Sequence, residues 1–232
     1  AKLRSDKIII EPSLNKKYEK RMIQKQKGFI QVIKAWLIPL FFGLAFCNAL
    51  SSSTSVSLFF LVYLLFLGCY GVYVMIRETR YTLLIIFIIF TFSGLLASLY
   101  NSNRSIIGVL PSIACFGIAI LINKEKMSHL GALTVYIIVA GYFGMNAIIG
   151  NDPGELLYKA GENYVSVYML IAACLYYISA WKNRSTNIRI SPALLAFLIS
   201  VWAQGRGGIL STGLLLLGLV LYKCSKSGSS KR

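Results

Sequence analysis

Between Leu83 and Leu99 seventeen consecutive residues carry no charge, and this is one of eight long apolar blocks joined by short polar segments. A helix of ~20 residues crosses the ~30 Å hydrocarbon core of a bilayer because it satisfies its own backbone hydrogen bonds where no water is present. Blocks of this kind cannot be hidden inside a water-soluble domain of 232 residues, 56% of them apolar. The expected fold class is therefore all-α: a polytopic transmembrane helical bundle of about eight spans.

The expected spans run over 29–50, 56–76, 81–100, 106–122, 130–149, 164–181, 190–204 and 208–222, the last two short and closely joined. They divide the chain into a basic tail over 1–28, a transmembrane domain over 29–222 and a second basic tail over 223–232. Tyr81, Tyr100, Tyr164, Trp181, Trp202 and Tyr222 fall at span ends, where amphipathic rings settle between lipid and water. Ser191 followed by Pro192 predicts an N-cap and first-turn proline for the seventh helix.

Twenty-four Lys and Arg oppose eight Asp and Glu, a net charge of +16. In a soluble chain that excess would point to nucleic acid. Here no basic groove with interleaved aromatics exists outside the spans, so nucleic acid is excluded as a partner and anionic membrane lipids are expected instead. If every span crosses, the tails and even loops hold 21 of the basic residues, and only Arg104, Lys159 and Arg206 remain for the other face. The positive-inside rule then puts both termini in the cytoplasm. The longest loop of the outer face, with Asp152, Glu155, Glu162 and Lys159, is net acidic.

Cys47, Cys69, Cys115, Cys174 and Cys224 form no CxxC and have no histidine nearby, so they are expected as small core hydrophobes rather than metal ligands or disulfides. No metal and no cofactor is expected. His129, the single histidine, follows Lys124 and Lys126 on the basic side and is expected to be interfacial rather than a catalytic base.

The stretch from Val201 to Thr212 carries the chemistry. Arg206 stands at a tight turn between two spans on the outer face, flanked by Gly205, Gly207 and Gly208. The glycines permit positive backbone dihedrals and close approach of a ligand, and the first amides of the next helix add the positive end of its dipole. A guanidinium holds two phosphate oxygens at once and stays charged at any physiological pH. The combination describes an anion site at head-group depth, suited to a polyprenyl-diphosphate-linked glycan. Arg104, in the turn 101–105, would supply a second charge. Against this stands a purely structural role: Gly207, Gly208, Ser211 and Thr212 also form a small face that lets membrane helices pack closely.

The region 150–225 resembles the O-antigen ligase and O-antigen polymerase superfamily, membrane enzymes that carry a Ser-Arg-Gly-type turn between two apolar helices, preceded by a helix that starts after an Asn. The matching pieces are Gly205-Arg206-Gly207-Gly208 with the apolar run after it, and Gly161-Glu162-Asn163-Tyr164-Val165-Ser166 opening the sixth span. Gly205 stands where the family has Ser. The resemblance implies glycan transfer from a polyprenyl diphosphate carrier in surface polysaccharide biosynthesis, with Arg206 on the diphosphate as the catalytic residue and Gly207, Gly208, Arg104, Asn163 and Gln204 as substrate contacts. It further implies about twelve spans and a later outer loop bearing His and Arg, so that this chain is expected as either an N-terminal portion of a polymerase or ligase of the bacterial cytoplasmic membrane, working beside other polysaccharide-assembly membrane proteins, or a shortened member that binds without catalysing. The rival readings are a transporter or flippase for a lipid-linked or polar solute, disfavoured by spans nearly free of central charge and by the absence of a repeated Gly-Arg-Gly-Gly turn, and a non-catalytic membrane scaffold.

Overall fold

The computed structural model describes residues 12–77, 81–100, 106–158, 160–183 and 188–229. They form eight α-helices: α1 Pro12–Leu50, α2 Thr54–Arg77, α3 Tyr81–Tyr100, α4 Ile106–Lys124, α5 His129–Ile149, α6 Glu162–Lys182, α7 Ser191–Trp202 and α8 Arg206–Ser229. Among the described residues five stretches are long and apolar enough to cross a membrane: Ile30–Leu50, Thr54–Arg77, His129–Ile149, Glu162–Lys182 and Arg206–Ser225. Three shorter apolar stretches, Ile85–Leu96, Ala114–Lys124 and Ser191–Trp202, lie beside them. Large apolar side chains stand exposed around the bundle, as Leu210, Leu214, Leu217 and Leu221 do along one stripe of α8. Water would not tolerate that surface, whereas lipid does. The chain is a helical membrane protein.

Small residues set the closest helix crossing. On α2, Gly68 and Gly71 meet Ala114 and Gly117 of α4 so tightly that a Cβ at Gly68 would lie 2.5 Å from the Ala114 Cα, and one at Gly71 would overlap the Gly117 backbone. Because lipid offers no hydrophobic drive for helix association, this backbone approach and the dispersion contacts it permits hold the pair together. A second cluster forms around Phe46 of α1, whose ring meets Tyr142, Phe143 and Tyr168 edge-on at 5.7, 5.5 and 5.7 Å.

Backbone groups that the helices leave open are taken up by neighbours. Pro39 within α1 has no N–H for the Ala35 carbonyl one turn back, and that carbonyl accepts from the Ser128 N–H at 2.8 Å instead. The Ala49 carbonyl near the far end of α1 accepts from Tyr158 N–H at 2.8 Å, which ties down the loop after α5. That loop leaves α5 through Gly150 in the left-handed conformation (φ 85°), and Asp152 caps a 3₁₀ turn, Pro153–Glu155, by accepting from Gly154 N–H at 2.8 Å. The described residues thus define two ends: a basic end where Lys34, the 125–128 turn and Asn183 meet, and an opposite end where the 150–158 loop meets the end of α1 and the start of α6 meets the α7–α8 turn.

Three sequence expectations change. The N-cap of α7 is Ile190 and makes no side-chain cap bond. Tyr177 replaces Ser191 in that role, its hydroxyl accepting from Ala193 N–H at 3.0 Å and donating to the Arg189 carbonyl at 2.9 Å. The eighth helix is not short: it continues past Tyr222 to Ser229, because lysines end a membrane span without ending a helix. Helix also covers residues 12–28 of the basic tail, continuous with the first span. The cysteines are not core residues; Cys47, Cys69, Cys115 and Cys224 are exposed and Cys174 is half-buried, because lipid accepts an apolar side chain as readily as the core does.

Candidate functional site

A cleft of about 620 Å³ opens between the starts of α6 and α8, at the end opposite the basic one. Asn163, Val167 and Leu170, spaced four and three apart on one face of α6, form one wall with Glu162 above them. Gln204, Arg206, Gly207, Gly208 and Ser211 form the other. Of the residues singled out in the sequence, Arg206, Gly207, Gly208, Asn163 and Gln204 are brought together here. Arg104 lies outside the described residues.

The turn that presents Arg206 is built by short-range hydrogen bonds. Ala203 N–H donates to the Ile199 carbonyl at 2.9 Å and Gln204 N–H to the Val201 carbonyl at 3.1 Å, ending α7. Ile209 N–H then donates to the Gly205 carbonyl at 2.8 Å, the first bond of α8. The amides of Arg206, Gly207 and Gly208 precede that bond and have no carbonyl a turn earlier within the helix. They lie at the positive end of a helix running from Arg206 to Ser229. Arg206 itself is exposed on the cleft wall, not buried against a carboxylate.

The glycines of this turn do not work as the sequence led us to expect. The left-handed residue is Gln204 (φ 55°); Gly150 is the one glycine with positive φ among the described residues. Gly205 and Gly208 are needed for contact with α6. A Cβ on Gly208 would overlap the Cβ of Ser166, and one on Gly205 would lie 2.6 Å from the Ser166 Oγ and 3.2 Å from the Asn163 Oδ1. A side chain at 205 would meet the Ser166 Oγ. Gly207 has nothing within 4 Å of a Cβ position and faces open space.

The small face of α8 therefore divides between the two roles weighed for it. Gly208 and Thr212 turn inward, Thr212 fully buried with its Oγ1 donating to the Gly208 carbonyl at 2.7 Å. Gly207 and Ser211 turn to the cleft, Ser211 Oγ donating to the Gly207 carbonyl at 2.8 Å. Gly208 serves both sides, since it also lines the cleft.

Sequence reasoning passed over Glu162, Val167, Leu170 and Ser211 as cleft residues, and over Ser166 as the neighbour of the turn. Ser166 is fully buried, and its Oγ has no hydrogen-bond partner among the described residues. Ser200, Ser211 and Thr212 all donate to the carbonyl four residues earlier, which makes Ser166 the exception among these helix hydroxyls. A buried hydroxyl left unpaired costs ~1–3 kcal/mol, and such groups in native structures call for a reason. The available signal was the four-residue spacing of Asn163 from Val167 and of Gly207 from Ser211.

His129 lies at the other end of the molecule. Its Nδ1 is 2.9 Å from the Ser179 Oγ and its ring lies 5.2 Å from that of Tyr176, far from any part in the Arg206 cleft. No protein-family model, no curated protein and no solved structure matches the chain.

Proposed function

We propose that the Arg206 cleft receives the diphosphate of a polyprenyl-diphosphate-linked glycan, and that the chain belongs to a polysaccharide polymerase or ligase of the bacterial cytoplasmic membrane. The observation that carries the reading is an exposed arginine beside the first amides of α8, in a cleft at the end opposite the basic one. If all eight helices cross, the 21-to-3 distribution of basic residues supports an outward position for that end, with both termini in the cytoplasm. A lipid-borne diphosphate then reaches the cleft from within the bilayer, with its glycan in water.

In this reading the Arg206 fork holds two oxygens of the diphosphate and the α8 amides supply further donors. As the glycosidic oxygen departs with the carrier, negative charge grows on the diphosphate, and the guanidinium stabilises it more strongly than it stabilised the donor. Gln204 donates to a phosphate or sugar oxygen. Glu162 would repel an anion at its own position, which seats the diphosphate on the α8 wall and leaves Asn163 and Glu162 facing sugar hydroxyls.

Replacing Arg206 by Ala in cells that depend on the chain for surface polysaccharide should abolish polymer formation while the protein level in the membrane stays unchanged. Full polymer formation by that variant would remove the assignment.

A further inference from the structure

The basic end holds a second cleft, of about 560 Å³, which the glycan chemistry does not use. Its walls come from α1, the 125–128 turn, the start of α5 and Asn183. Lys34, Lys124 and Lys126 line it, with Glu125 as the one carboxylate among the described lining residues. That carboxylate is engaged by α2: Tyr70 donates its hydroxyl to Glu125 Oε1 at 3.2 Å, and the Lys34 Nζ stands 5.7 Å from the centroid of the same ring.

Two helix ends meet at this cleft, and the structure treats them differently. The carbonyl end of α4 would repel an anion, but Lys182 Nζ donates to the carbonyls of Ile122, of Asn123 at 2.8 Å and of Glu125 at 2.9 Å. That ammonium cancels the negative end of the α4 dipole. The amide end of α5 is left positive; Ser128 caps it by accepting from Gly131 N–H at 3.1 Å, and Ser128 and His129 both line the cleft. Among the described lining residues three lysines stand against one carboxylate, and with the α4 carbonyl terminus held by Lys182 the balance is positive.

We propose that this cleft binds the phosphate of an anionic membrane-lipid head group. The chemistry it recognises is a phosphate beside an apolar surface. Val32 and Trp36 line the cleft with the lysines, and Val32, Ile33 and Leu40 are exposed on α1 next to it. The cleft stands where the apolar span of α1 begins, at Ile30, so a head group seated among the lysines can lay its acyl chains along that exposed face. Inorganic phosphate offers the same charge without the chains. The inference is independent of the glycan reading, since it concerns the opposite end of the molecule and needs no turnover.

The test is titration of the full chain, in nanodiscs of zwitterionic phosphatidylcholine, with phosphatidylglycerol, bound lipid being counted by native mass spectrometry. Lys34→Gln and Lys126→Gln should each weaken phosphatidylglycerol binding about fivefold, the change that corresponds to the ~1 kcal/mol contributed by one basic residue near an anionic surface. Lys223→Gln, exposed on α8 away from the cleft, should weaken binding distinctly less than either cleft variant. Lys126 is also exposed, so its variant keeps the test valid even if Lys34→Gln disturbs folding. Equal binding by all three variants and the parent chain would overturn the site, as would equal retention of phosphatidylcholine. Millimolar inorganic phosphate should fail to displace the lipid; full displacement would assign the cleft to a soluble phosphate and overturn the lipid source.

Discussion

A methyl group added at Gly208 probes the packing that positions Arg206. The new Cβ would overlap the Ser166 Cβ and lie 2.6 Å from its Oγ. Carbon atoms rest ~3.5–4.0 Å apart, so α6 and α8 must separate by on the order of 1 Å before the methyl fits. Overpacking of this kind costs ~1–3 kcal/mol, and at ~2–4 °C per kcal/mol for a chain of this size the melting temperature should fall by roughly 2–12 °C. Arg206 lies two residues earlier, ~3 Å along the helix axis, and moves with the displaced turn. A misplacement of ~1 Å at a reacting centre can cost ~10²-fold in rate, so polymer formation should suffer more than stability. The assay is thermal unfolding of purified Gly208→Ala in detergent together with polymer length and yield in cells. Adding Ser166→Gly removes the opposing Cβ and should restore both readouts, whereas adding Ser166→Ala removes the hydroxyl alone and should not. Unfolding of Gly208→Ala at the parent temperature, or equal rescue by the two serine variants, would refute the reasoning.

Two further variants test the supports around the site. Tyr177→Phe deletes the acceptor for Ala193 N–H and the donor to the Arg189 carbonyl, and should destabilise the protein by ~1–2 kcal/mol, read as a lower unfolding temperature; an unchanged melt would show that α7 needs no cap from α6. Lys182→Met keeps the aliphatic stem but strips the ammonium from the Ile122, Asn123 and Glu125 carbonyls, and should cost ~1–3 kcal/mol in the same assay, with partial recovery in Lys182→Arg.

Hydropathy made the helices legible and hid what surrounds them. The stretch 130–149 was expected as a span and α5 covers His129–Ile149, because apolar length alone decides what can lie in a bilayer. The same signal reports where a span ends, not where a helix ends, so the helical continuation of α8 to Ser229 lay beyond it. It also cannot separate core from lipid-facing positions, since both are apolar; exposed Cys69 and buried Leu67 look alike in the sequence. Long-range partners were out of reach for a related reason. The hydroxyl that caps α7 comes from Tyr177 on another helix, and the carbonyl freed by Pro39 is satisfied by Ser128 on the far side of three helices in sequence.

At the candidate site Arg206 and Asn163, singled out together in the sequence, line one cleft although they lie on separate helices. The role of the glycines was not legible. Whether a glycine serves a turn, a ligand or a neighbouring helix depends on what stands opposite it, and Ser166 opposite Gly205 and Gly208 appears only when α6 and α8 are brought together.

The central claim is that the cleft beside Arg206 faces outward and takes a lipid diphosphate. Gly207 is the position to interrogate, since a Cβ there meets nothing within 4 Å and the residue lines the cleft. In a chain stripped of its five native cysteines, Gly207→Cys should react with a membrane-impermeant maleimide added to intact cells, and added polyprenyl diphosphate should slow that labelling in the purified protein. Labelling only after the cells are opened, or a rate indifferent to the lipid, would contradict it.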